Sequence, residues 1–228
     1  MNEKKVIVVI VEGPSDENAL GGILKEYFSS SEVQFAVVHG DITSDSKTSP
    51  ENVVAKIKKL VDSVNAKYGY AWRDITRIIH IGDTDGAFTK NCVHKADVKN
   101  VQYYEDHIDA SDVEVIEKRN RCKAKVLLKL YSTGKVRGIP YRIYFNSCNL
   151  EHVLYNQLKN FSGVEKVELA DNFADKFEGK VQEFIDFISA PALAVSGTYR
   201  ETWKYIEEGK HSLERHSNMH LMFDKTSH

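Results

Sequence analysis

Six consecutive β-branched residues, Val6-Ile7-Val8-Val9-Ile10-Val11, run without a polar interruption straight into Glu12-Gly13-Pro14. A strand that alternates can leave one face in water. A continuous run like this is satisfied only when both faces are covered, as in a parallel sheet with helices on either side. Pro14 stops the strand, so Glu12 sits at its carboxyl end. The same design recurs at Ile78-Ile79-His80-Ile81, which leads into Gly82-Asp83-Thr84-Asp85-Gly86. Two such strands side by side bring three acids to one edge of a sheet. Carboxylates gathered in this way repel one another unless a positive charge sits among them, and a divalent cation is the usual answer.

The segments between these runs complete an alternating order. Ser15 reads as a helix cap, and Leu20, Ile23, Leu24, Tyr27 and Phe28 recur at helical spacing through a helix over 16–28. Residues 33–38 form a second strand, and 39–49 a polar loop. Ser49-Pro50 then opens a helix whose stripe of Val53, Val54, Ile57, Leu60, Val61 and Val64 continues to about Tyr68. Residues 77–81 form a third strand. Strand, helix, strand, helix, strand means an α/β fold with a mostly parallel central sheet, flanked by helices and joined by right-handed crossovers. Beyond it the pattern is irregular from Ala87 to about Val115. A basic helix follows over 118–131, a strand over 141–145 and a helix from Leu150 to Leu158. A single helix is expected over 173–188, and another over 199–208 ending at Gly209. The division expected is a catalytic unit over 1–160, with a basic insertion at about 90–140, and a helical extension over 161–228 packed on it.

A chain of 228 residues is long enough for one well-cored domain with a small appendage. Its net charge of −2 says little by itself, but the charge is uneven. From Glu117 to Arg142 there are nine Lys or Arg and one acid, which suggests a polyanion contact. The three cysteines, Cys92, Cys122 and Cys148, include no CxxC pair, which excludes the common zinc and redox motifs and fits a reducing compartment. Glu3, Lys4 and Lys5 precede an apolar run too short for a secretion signal, and nothing approaches a membrane span. A cytoplasmic protein is expected.

Hard oxygen donors without neighbouring His or Cys favour Mg2+ or Mn2+ over zinc, and these ions suit phosphoryl or phosphodiester chemistry. Ligands of open α/β sheets lie beyond the carboxyl ends of the strands, where Glu12, Asp83 and Asp85 are expected. Glu12 serves there either as a ligand or as a general base. Val8-Val9-Ile10-Val11-Glu12-Gly13-Pro14-Ser15-Asp16 resembles the first motif of the Toprim domain, and Ile81-Gly82-Asp83-Thr84-Asp85 resembles its Asp-x-Asp motif. The resemblance covers about 5–90 well and 140–158 loosely. Among Toprim proteins the chain looks most like the overcoming-lysogenization-defect (OLD) nucleases.

That resemblance implies a Rossmann-like Toprim fold and a Mg2+- or Mn2+-dependent nuclease acting on DNA or RNA. It implies catalytic roles for Glu12, Asp83 and Asp85, with Asp16 and Glu151 as further metal ligands. Glu151 follows the strand and loop of Tyr144-Phe145-Asn146-Ser147-Cys148-Asn149-Leu150. The resemblance departs at Gly86, where several members carry a third acid. The chain also has no topoisomerase tyrosine segment, zinc-ribbon cysteines or Walker A loop. It therefore implies a stand-alone unit, with an ATPase on a separate chain, a homo-oligomer and an anti-phage defence role as companion expectations.

Lys123, Lys125 and Arg142 are candidates to neutralise a scissile phosphate. In the tail, Arg200, Trp203, Lys204, His211, Ser212, Arg215, His216, Asn218 and His220 mix bases with an aromatic, so Arg200, Lys204 and Arg215 are further nucleic-acid candidates. His216 and His220, four apart, suit a metal if helical. Two alternatives stay open. A Toprim module that binds nucleic acid or a partner without cutting needs no catalysis. A haloacid-dehalogenase-like phosphatase would use Asp83 as nucleophile and Asp85 as acid, with Ser147, Asp171 and Asp175 completing its motifs, but leaves Glu12 without a task.

Overall fold

The structure, a computed structural model, describes residues 5–38 and 41–223. Glu3, Lys4, the first two residues of the expected 39–49 loop and the last five of the C-terminal extension lie outside these residues.

The chain forms β1 (Val6–Val11), α1 (Pro14–Tyr27), β2 (Glu32–Val37), α2 (Val53–Tyr68) and, after a 3-10 turn at Trp72–Asp74, β3 (Ile75–Asp83). Three short strands follow, β4 (Val93–Lys95), β5 (Gln102–Tyr103) and β6 (Ile108–Ala110), then α3 (Val113–Tyr131), β7 (Lys135–Val136) and β8 (Ile139–Asn146). The rest is helical: α4 (Leu150–Tyr155), α5 (Gly163–Phe177), α6 (Val181–Ile188), α7 (Tyr199–Ile206) and a 3-10 turn at Met219–Phe223. The main sheet has the order β2-β1-β3-β8-β7. Its first three pairings are parallel, and only β7 runs antiparallel to β8.

β1 lies inside this order, between β2 and β3, and is buried along its whole length. Ile7, Val9 and Val11 face the side covered by α1, α5, α6 and the last 3-10 turn. Val6, Val8 and Ile10 face the side covered by α2, α3 and α7. That two-residue period explains the unbroken run of β-branched residues, each contributing about 1.5–3 kcal/mol by leaving water. Among the described residues no helix is long and apolar enough to cross a membrane.

Three expectations need correction. The helix expected over 173–188 is two helices. Glu178 leaves the helical conformation and Gly179 takes φ +66°, so the chain turns before α6. Upstream, α5 begins at Gly163 under a Ser162–Glu165 capping box. Val164 and Val167 in its first turns are exposed, which breaks the apolar stripe that would have revealed it. The irregular stretch after Ala87 holds a second sheet, β4-β6-β5, whose strands are too short to display a period. His216 lies in a non-helical turn and His220 in a 3-10 turn, so they do not form the helical pair expected of them.

The C-terminal segment does more than pack on the outside. Trp203 and Ile206 enter the core on one face of the sheet, and Met219, Met222 and Phe223 enter the other. Ser217 bridges to Asn146 at the end of β8, and Asn218 Oδ1 accepts the Phe145 N–H at 2.8 Å.

Candidate active site

The parallel register sets Ile10 beside His80, and Asp83 beside Asn146. The carboxyl ends of β1, β3 and β8 therefore form one edge. Glu12, the residue after β1, reaches across it, and its Oε1 accepts the backbone N–H of Asp83 at 3.1 Å. Asp83, the last residue of β3, accepts from Asn146 Nδ2 at 3.2 Å. The two acids expected to meet do meet.

Their electrostatics show a shortage of positive charge. Burial raises the Glu12 carboxyl well above its usual range, and Asp41 and Asp85 add to this against the opposing pull of Lys123. Burial likewise raises Asp83, with Glu12, Asp85, Asp16 and Glu151 all pushing the same way. Such a pair holds a proton, or takes up a cation in its place.

Asp85 behaves differently. Its backbone sits in the left-handed region at φ +46°, and its carboxylate turns to the Lys123 ammonium at 2.5 Å. Lys123 Nζ makes an equal contact with Asp41. Burial alone would raise Asp41, but the Lys123 charge and hydrogen bonds from Lys123 and Thr43 hold it well below the usual carboxylate range. Burial works against the Lys123 charge, yet Asp85, Asp41 and Glu12 together keep it firmly protonated. Its side chain has 0% exposure. This corrects its expected role, because an ammonium with no open surface does not touch a polyanion. Lys123 is the fixed internal cation of the acid edge. Asp41 was missed by sequence reasoning, since it lies in a polar loop with no strand leading into it.

Asp16 and Glu151 complete the cluster. Asp16 Oδ2 accepts the Gly13 N–H at 2.9 Å, closing the first turn of α1. Burial pushes its carboxyl up to about 6, against that backbone hydrogen bond and with Glu151 adding to the rise. Glu151, in the first turn of α4, pairs with Lys166 of α5 at 2.5 Å. Lys166 was also missed, because its helix was not recognised. A cleft of about 680 Å³ opens onto Glu12, Asp83, Asp85 and Glu151, with Lys159 and Lys166 at its edge. Tyr104, 39% exposed, forms part of its far wall. A second hollow reaches Glu12, Asp16, Asp41 and Asp83 from the other side.

Position 86, a glycine, leaves no room for a side chain. Its φ is +68°, and a Cβ there would come within 2.7 Å of Leu213 Cδ2 and 2.9 Å of Ile108 Cδ1. Its N–H donates to Ser212 O at 3.1 Å. The chain uses this position to pack the acid loop on the C-terminal segment.

The other basic candidates scatter. Lys125 is exposed on α3 and lies near Glu51. Arg142 stacks on Tyr199 at 5.2 Å. It lies four residues back from Asn146, about 13 Å from the edge at a strand's rise per residue. Arg200 and Lys204 are exposed on α7 and do not line the cleft. Arg215 is committed to structure, donating to His152 O at 2.9 Å and Val153 O at 2.8 Å, where it caps α4. It is not a free phosphate contact.

The phosphatase arrangement does not assemble. Ser147 Oγ donates inward to His211 O, Asp171 bonds Asn18, and Asp175 lines a separate hollow beside α1.

The acids suit a hard cation held by few ligands. Glu12 and Asp83 are enclosed and mutually repelling, and they open on a cleft with room for water and phosphate. They do not form a tight cage, because Asp85 is drawn to Lys123. Three donor atoms all within 4.8 Å of one another occur, among the described residues, at His94–His107–Asp109 and at His211–Glu214–His216. No family model, no curated protein and no solved structure matches this chain.

Proposed function

We propose that this chain is a Toprim-type nuclease that cleaves phosphodiester bonds of DNA or RNA with Mg2+ or Mn2+ at Glu12 and Asp83. The observation that carries this reading is the 3.1 Å contact between Glu12 Oε1 and the Asp83 N–H, which holds together two carboxyls that burial and repulsion have raised. A cation bound there supplies Lewis acidity toward a phosphate and lowers the pKa of a water.

The chain supplies the remaining parts. Lys123 holds the Asp85 and Asp41 side chains in place, so the charge behind the pair is fixed in position before substrate arrives. Lys159 and Lys166 stand at the cleft, where they offer charge to the phosphates on either side of the scissile one. Tyr104 offers a ring on which an unpaired base stacks. The nucleic-acid contact is thus assigned to Lys159, Lys166 and Tyr104, with Lys125, Arg200 and Lys204 as outlying charge. An ATPase on a separate chain, self-association and a defence role remain part of the proposal through the family resemblance alone.

One observation favours a second reading. Lys123 already neutralises part of the acid edge, and a module that binds without cutting needs no further charge there. Incubation of the protein with plasmid, linear DNA and total RNA under several divalent metals separates the two. The nuclease reading expects cleavage dependent on Mg2+ or Mn2+, lost in both Glu12→Gln and Asp83→Ala proteins that still fold. Cleavage that persists in both variants overturns it. Binding without cleavage by the wild type supports the module.

A further inference from the structure

We propose that the turn over 208–216 is a second cation site, distinct from the acid edge, which takes a borderline transition metal of the zinc type through His211, Glu214 and His216. Glu214 Oε2 lies 2.6 Å from His211 Nδ1 and 3.3 Å from His216 Nε2. The three donors come from six consecutive residues, and all lie within 4.8 Å of one another. Two imidazoles and one carboxylate are the donor set of open zinc sites, whereas an all-oxygen set selects magnesium. The side chains are 29%, 36% and 22% exposed. The site is therefore reachable from solvent and leaves a fourth position to water.

The donors are held before any ion arrives. His211 N–H donates to Glu208 O at 3.3 Å, Glu214 N–H to Lys210 O at 3.4 Å, and His216 N–H to Glu214 O at 2.9 Å. Tyr205 fixes both rings. Its own ring stacks on His211 with centroids 3.8 Å apart, and its hydroxyl lies 3.1 Å from His216 Nε2. The His94–His107–Asp109 trio is less settled. His94 is exposed, and His107 Nδ1 is engaged by Asp106 outside the trio at 2.6 Å.

The backbone of the same turn carries the acid loops. Ser212 O accepts from Thr84 Oγ1 at 2.8 Å, Cys148 N–H at 3.0 Å and Gly86 N–H at 3.1 Å. His216 O accepts the Ser147 N–H at 2.7 Å, and His211 O the Ser147 hydroxyl. An ion on the side chains of this turn stiffens the carbonyls that hold the loops after β3 and β8. An ion held there thereby gains leverage on Asp83, Asp85 and Glu151.

Cobalt titration of the chelator-stripped full-length protein tests this, because Co2+ in a low-coordinate His/carboxylate site shows intense visible bands and in an all-oxygen octahedral site only faint ones. The wild type should develop intense bands saturating at one cobalt per chain, be bleached by zinc and melt at a higher temperature with zinc bound. Glu214→Gln, the variant least disturbing to the turn, should weaken binding at least tenfold with an unchanged near-ultraviolet circular dichroism spectrum. His211→Ala/His216→Ala should abolish the bands, while His94→Ala/His107→Ala and Glu12→Gln retain them. Faint bands only in the wild type, or intense bands surviving in His211→Ala/His216→Ala, overturn the proposal. Loss of nuclease activity in Glu12→Gln bears on the acid edge and leaves this result untouched.

Discussion

A lysine without exposed surface, held between two aspartates, governs the electrostatics of the acid edge. Removing one member of a buried ion cluster leaves the others uncompensated, at a cost of about 3–5 kcal/mol. Lys123→Met should therefore lower the urea midpoint sharply, and adding Asp41→Asn and Asp85→Asn should recover most of the loss. Asp83 has the opposite sign. Burial and its acidic neighbours raise its folded pKa above the unfolded value, so the metal-free fold is unpenalised below about pH 4 and loses stability as pH rises through the folded pKa. Asp83→Asn should melt at a higher temperature than the wild type in chelator at pH 7, and should no longer be stabilised by Mn2+. His80 gives a third signature. Burial lowers its pKa to about 4, with Nδ1 2.8 Å from the Tyr141 hydroxyl. The unfolded chain therefore takes up a proton first as pH falls. Stability should drop by about 3 kcal/mol between pH 6.5 and 4, and His80→Gln should flatten that part of a stability–pH profile measured in urea.

At the scale of elements, the break between α5 and α6 rests on one glycine. Gly179 has φ +66° with open space around its Cβ position, so Gly179→Ala should cost about 1 kcal/mol through the backbone alone, read as a shifted urea midpoint. Phe173, Phe177, Phe184 and Ile188 all enter the same core, and their spacing reads as one helical stripe although the chain turns midway. Longer elements with one environment were legible. The unbroken Val6–Val11 run told its topology directly, and Glu12 at the edge followed from it as Asp83 followed from the Ile78–Ile81 run. Lys166 and Asp41 were not legible, since their part in the site comes from packing between segments far apart in the chain. Lys123 reads from sequence as a phosphate contact because a basic helix gives no sign of which one of its lysines turns inward.

For the molecule as a whole, the expected division at residue 160 understates how the chain closes. Side chains from α5, α6, α7 and the final 3-10 turn fill both faces of the sheet, and Asn218 satisfies a buried N–H on β8. A chain ended after residue 208 loses the core side chains of the Met219–Phe223 turn, the Asn218 acceptor and the carbonyl of Ser212. It should show no cooperative thermal transition by circular dichroism, whereas a separately docked appendage would leave the transition of residues 1–160 in place.

The carbonyls beneath the acid loops belong to residues made later than Glu12, Asp83 or Glu151. On the ribosome, a nascent chain that already displays every carboxylate still lacks the support that sets their geometry. Under the proposed nuclease reading, a chain assembled in this order stays harmless to the message that encodes it until the supporting turn has emerged, which places a safeguard in the order of synthesis itself.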